Sequence, residues 1–149
     1  MARIRVSTVI DAPPAVVWAA IEDISGHVRW MEDAVAIRFT TAQTSGVGTV
    51  FQCDTRIGPI RLVDVMTITE WKPGKAMGVR HTGVVTGDGG FRLKKARGGR
   101  TRFTWDERFR FPWWFAGPLG GLLGGKPILT LVWRKNLRNL KALVEGSGP

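Results

Sequence analysis

The chain has one cysteine, Cys53, and only two histidines, His27 and His81. One thiol excludes an internal disulfide, and this donor set cannot assemble a Cys/His zinc cluster. Neither a metal nor another cofactor is expected. Tyrosine is absent while tryptophan occurs seven times, so the aromatic surface is bulky and mostly without hydroxyl handles. No stretch approaches the roughly 18 uninterrupted apolar residues of a membrane span. The first ten residues alternate polar with apolar and contain no apolar run of a secretory signal, which predicts a cytoplasmic protein. Acidic residues are scarce: 12 Asp+Glu face 22 Lys+Arg, a net charge of +10. A field of that sign attracts nucleic acid, anionic lipid or acidic metabolites without choosing among them.

What is present is a globular composition, 44% hydrophobic and 23% charged over 149 residues. One domain with one core is expected over 1–149, with 146–149 a loose tail. Ile4, Val6, Thr8 and Ile10 alternate with Arg3, Arg5 and Ser7, the period of a half-buried strand. Asp11-Ala-Pro-Pro then starts a helix carrying Val17, Ala20, Ile21 and Ile24, and Ser25-Gly26 stops it before a short segment with Trp30. Six further alternating stretches follow, about 34–42, 47–57, 60–71, 75–82, 88–97 and 101–111, separated by glycine and proline. The glycines of Thr86-Gly-Asp-Gly-Gly open no helix, so they read as a hairpin and not as a phosphate cradle.

After Pro112, the run Trp113-Trp-Phe with Leu119, Leu122 and Leu123 is interrupted by glycine and proline and should be loose or kinked. From about Pro127 to Val144, a 100° step gathers Leu129, Val132, Trp133, Leu137, Leu140, Leu143 and Val144 on one arc, opposite Arg134, Lys135, Arg138 and Lys141. The order predicts an α+β domain: a seven-stranded, curved antiparallel sheet wrapped around a long C-terminal helix, with two short helices after the first strand. A cavity is expected between sheet and helix.

The segment from Val6 to Trp18, with Ile21-Glu-Asp-Ile24 and Trp30, resembles the opening of the START-like, helix-grip superfamily, also called SRPBCC. Ile68-Thr-Glu-Trp-Lys-Pro-Gly74, Gly99-Arg-Thr-Arg-Phe-Thr-Trp105 and Asn136 to Glu145 extend the similarity to its polyketide cyclase/dehydrase-like branch, over nearly the whole chain. The resemblance implies the helix-grip fold. It spans lipid carriers, hormone receptors and polyketide cyclases, so it implies no single activity, and it supplies no universal catalytic motif.

In a sheet wrapped on a helix, one parity of each strand faces the cavity. On the last strand the choice is plain, because Arg102, Thr104, Asp106, Arg108 and Arg110 are too charged to bury, leaving Phe103, Trp105, Glu107, Phe109 and Phe111 inward. The same reasoning on the other strands gives the expected ligand-binding wall: Phe51, Cys53, Met66, Met77, Val79, His81, Phe91, Trp105 and Glu107, joined by Trp133 and Asn136 of the helix. Glu107 is the one acid in an otherwise aromatic run. Two readings stand for it: an anchor or general acid/base, or a carboxylate at the open end bridged to an arginine. His81 and Asp64 are the other catalytic candidates, with a strand-end histidine bonded to a neighbour as the plainer alternative for His81. Cys53 reads as a small core residue.

Three functions follow. The first is binding or transport of a hydrophobic, lipid- or polyketide-like molecule in the cavity. The second is a cyclase or dehydratase in which Glu107 with His81 or Asp64 moves protons, which requires these groups to converge. The third is transient contact of the 113–123 run and the basic helix with an anionic membrane. Nucleic acid is the least favoured partner, because the aromatics that could stack on bases point inward.

Overall fold

A computed structural model describes residues 2–110 and 126–146. Strand β1 (Ala2–Ile10) is followed by helix α1 (Pro14–Ile21) and a 3₁₀ segment (Ile24–Arg29). Then come β2 (Ala34–Phe39), β3 (Val50–Ile57), β4 (Ile60–Lys72), β5 (Ala76–Thr82), β6 (Thr86–Lys95), β7 (Thr101–Arg110) and helix α2 (Lys126–Gly146). The strands form one seven-stranded antiparallel sheet in the order β1-β7-β6-β5-β4-β3-β2, so the first strand closes on the last. This is the helix-grip arrangement. A register shift between Ile68 and Glu70 interrupts the pairing of β4 with β5, and an extra residue there bends a strand and increases its twist.

The period of two decides the faces. On β7, Thr101, Phe103, Trp105, Glu107 and Phe109 are buried while Arg102, Arg108 and Arg110 are exposed. β1, β3 and β6 alternate in the same way, whereas β5 opens with three consecutive buried residues, Ala76, Met77 and Gly78. Phe111 and the 113–123 run with its membrane-facing reading lie outside the described residues. Among the described residues, no helix is long and apolar enough to cross a membrane. The glycines of 86–90 depart from expectation: they lie inside β6, and the link between β5 and β6 falls at 83–85.

Helix α2 lays its apolar arc on the sheet, with Trp133, Leu137, Leu140 and Val144 buried. Polar side chains pin it to the opposite end of the chain. Lys141 Nζ donates to the Val9 carbonyl at 2.7 Å, Asn139 Nδ2 to the Trp30 carbonyl at 3.2 Å, and Glu145 Oε2 accepts from the Asp11 N–H at 2.9 Å. Trp30, 1% exposed, centres an aromatic cluster, its ring 5.7 Å from Phe91, 5.9 Å from Trp105 and 6.4 Å from Phe103.

Because Leu140 is fully buried in this seam, Leu140→Ala should lower unfolding stability by about 2–5 kcal/mol. Leu131→Ala, on a side chain 63% exposed, should stay within about 0.5 kcal/mol. Urea unfolding of both variants checks the pair; equal losses would mean that α2 is not seated by this arc.

Candidate functional site

Between the sheet and α2 lies a cavity of about 130 Å³. Its wall includes Phe51 and Cys53 of β3, Asp64 and Met66 of β4, Met77, Val79 and His81 of β5, Phe91 of β6, and Trp105 and Glu107 of β7. Trp133 reaches it from α2, its ring stacked on Trp105 at 3.8 Å and 8° between planes. Alternation alone places the strand residues here. Asn136 is placed elsewhere: its Nδ2 donates to Asp33 Oδ1 at 2.7 Å and its Oδ1 accepts from the Glu32 N–H at 3.0 Å. Fully buried, it is justified by those bonds rather than by the cavity, which it does not line.

The chemical centre is His81. Its Nδ1 lies 2.6 Å from Asp64 Oδ2 and its Nε2 2.5 Å from Glu107 Oε1. A carboxylate only accepts, so each ring nitrogen donates and the ring is an imidazolium. Trp105 Nε1–H supplies a further bond to Glu107 Oε2 at 2.7 Å. Glu107 is only 3% exposed, and its partner is His81 and not the arginine of the second of its two sequence readings. Burial works against the charge on His81, but the charges of and bonds from Glu107 and Asp64 outweigh it and raise the pKa from 6.5 to about 10.

His81 and Glu107 are on strands separated by β6, and the glycines explain how they meet. In the register, Gly87 sits between His81 and Phe109, and Gly89 between Val79 and Glu107. The inner face of β6 is therefore bare between the two charged groups. Gly89 has φ +157°, and a Cβ there would stand 2.5 Å from Glu107 Cα and 2.6 Å from its Cγ. The pattern Gly87-x-Gly89 on an inward parity was the available sequence signal for this contact.

Two further polar wall residues escaped the strand-parity reading because they lie outside the strands. Asp33 follows Trp30 in a loop; burial raises its carboxyl pKa, the bond from Asn136 counters this, and the charge of Glu107 adds to the rise. His27 lies in the 3₁₀ segment, where Nε2–H donates to the Ile21 carbonyl at 2.7 Å and burial lowers its pKa to about 4. Cys53 is pushed up to about 11 by burial, so it is a neutral thiol and not a nucleophile at neutral pH. Among the described residues, no group of three His, Cys, Asp or Glu side chains is disposed to hold a metal ion.

These shifts set a pH dependence of stability. His81 gains protons on folding, so its contribution is full below 6.5 and is lost as pH rises toward about 10. His27 is buried neutral, so its contribution is full above 6.5 and is lost as pH falls toward about 4. Stability should peak near 6.5 and fall by a few kcal/mol on each side, at roughly 1.4 kcal/mol per pKa unit. Urea midpoints from pH 4 to 10 test this, and an unchanged alkaline limb in His81→Gln would contradict the imidazolium. Gly89→Ala should cost about 1–3 kcal/mol in backbone strain and move the His81 titration downward by NMR. An unmoved titration would show that β6 need not be bare.

Comparison with known proteins adds the family. The sequence model of a family described as "Polyketide cyclase / dehydrase and lipid transport" matches residues 1–145. No curated protein matches the sequence. Among solved structures, the chain is similar to TTHA0849 from Thermus thermophilus, with a TM-score of 0.81 and 16% identity, covering 99% of this chain and 100% of that one. It is also similar to the ZhuI aromatase/cyclase from Streptomyces sp. R1128, with a TM-score of 0.78, 14% identity and coverage of 97% and 93%. For Ara h 8.0201 the TM-score is 0.69 at 13% identity, with coverage of 98% and 99%. At such identities the structures establish a shared fold and nothing finer. With the family model spanning nearly its whole length, the chain belongs to the polyketide cyclase/dehydrase and lipid transport family.

Proposed function

We propose that this protein binds, and in doing so carries, a small and largely apolar molecule in the cavity between the sheet and α2. The observation that carries the reading is the cavity itself: about 130 Å³, walled by Phe51, Phe91, Trp105, Phe109 and Trp133 with three methionines. An apolar space of about 150 Å³ holds one benzene ring, so a single-ring or short-chain body is the scale that fits. The polar groups are few, with Asp64, His81 and Glu107 bonded together and Asp33 and His27 apart from them, the usual division between a wall that gives affinity and anchors that orient.

A cyclase- or dehydratase-type reaction is the second reading, favoured by one fact: the three candidate groups converge within hydrogen-bond distance. Two properties place it second. Both ring nitrogens of His81 are already donating to protein carboxylates, and a pKa near 10 leaves the imidazolium unable to accept a proton at neutral pH.

Non-denaturing mass spectrometry of the protein released from its own cells should reveal a noncovalent apolar adduct. Val79→Trp, or Met66→Phe should the first variant not fold, should lose the adduct while remaining folded, because each fills space at the wall. Equal adduct occupancy in a folded, filled variant would remove the cavity as the site.

A further inference from the structure

The cavity's charge is opposite to that of the protein. Its wall carries three acidic side chains, Asp33, Asp64 and Glu107, and among the described residues no lysine or arginine. The stretch 111–125, between β7 and α2, contains no charged residue that could supply a counter-ion. His81 is the wall's cation, since His27 is neutral above about pH 4 and Cys53 is a neutral thiol. Asp64 and Glu107 both bond to His81, so acidic side chains outnumber the one basic group between them.

A second observation is independent of that count. Asp64 is buried, and while its Oδ2 accepts from His81, its Oδ1 has no hydrogen-bond partner among the described residues. A carboxylate can accept about four hydrogen bonds, and a buried oxygen left without any is unfavourable by about 1–3 kcal/mol or more. The described residues thus form an apolar chamber with more acidic than basic side chains and an acceptor that they do not satisfy. Such a charge is tolerated when something pairs with it.

We propose that the cavity's ligand is a cation: a small amine in its ammonium form, with an aromatic or aliphatic body, whose N–H groups and charge complete the Asp64 end of the chamber. This rests on the cavity-binding reading and adds the ligand's class to it. An ammonium brings N–H donors and a positive charge to the wall that Asp64 and Asp33 share. The faces of Phe51, Phe91 and Phe109 offer attraction to a cation as well as to its apolar body. A carboxylate ligand such as a fatty acid meets the reverse: acidic neighbours and, among the described residues, no lysine or arginine to pair with. The chain's net charge of +10 comes from lysines and arginines, none of which lines the cavity among the described residues.

The test uses the intact chain and four probes sharing one ring: toluene, benzyl alcohol, benzylamine and benzoate, titrated calorimetrically at neutral pH. Benzylamine should bind at least about ten-fold tighter than benzyl alcohol, a difference of about 1.4 kcal/mol, and benzoate should bind weakest. Asp64→Asn should remove most of the amine's advantage while toluene binds as before. Asp33→Asn serves in its place if Asp64→Asn does not fold. Val79→Trp should reduce binding of all four, and benzylamine binding that it leaves untouched would put the cation outside the cavity and overturn the proposal. Saturable toluene binding with no preference for the amine, or with benzoate its equal, would overturn the cationic class and leave the cavity reading standing. Failure of every probe to saturate would overturn both.

Discussion

The imidazolium of His81, held between Asp64 and Glu107, is the constraint around which the interior is organised. It ties β4, β5 and β7 together on the inner face, across a strand that has no side chain to offer at Gly87 and Gly89. Buried charges of this kind are individually costly to desolvate, and they persist where each has a close partner. Here one positive ring serves two carboxylates, and the indole N–H of Trp105 serves Glu107 as well. The result fixes the depth and orientation of the polar end of the cavity while the rest stays apolar.

Charge is segregated by the same alternation that builds the sheet. Outward positions of β1, β6 and β7 carry Arg3, Arg5, Arg92, Lys94, Arg102, Arg108 and Arg110, while the inner positions carry aromatics and acids. The outer ion pairs are half-exposed: Arg3 meets Asp106 at 2.7 Å and Arg38 meets Asp54 at 2.7 Å. Pairs so exposed contribute little to stability in salt. Surface charges of this kind contribute a long-range field, whereas the few interior charges set the pH dependence of stability.

Catalysis and binding make different demands on the same three side chains. A general base must present a free lone pair at a matched pKa, while an anchor must be rigid and already charged. His81 meets the second description, since both of its nitrogens are engaged and its proton is strongly held. Among the described residues, Asp64 Oδ1 is the oxygen of the cluster without a hydrogen-bond partner. The fold is shared with an aromatase/cyclase and with Ara h 8.0201, and a fold by itself selects neither use.

How much was legible in the sequence depends on whether a residue obeys a local period. The strand order, the amphipathic α2 and the inward set from Phe51 to Glu107 follow from alternation and a 100° step, because a side chain's face is set by its own backbone. The glycines of 86–90 were misplaced to a hairpin because glycine marks turns and bare strand positions alike; their partners across β5 and β7 distinguish the two. Asn136 was legible as a buried polar residue, but its partners Glu32 and Asp33 come from a loop more than a hundred positions away in the chain. Periodicity by itself determined that Glu107, His81 and Asp64 share one interior. Only the tertiary structure decided that they touch, that the partner of Glu107 is an imidazolium and not an arginine, and that one oxygen of Asp64 is left over. Contact between strands depends on register, curvature and the absence of a side chain in between, none of which a single strand records.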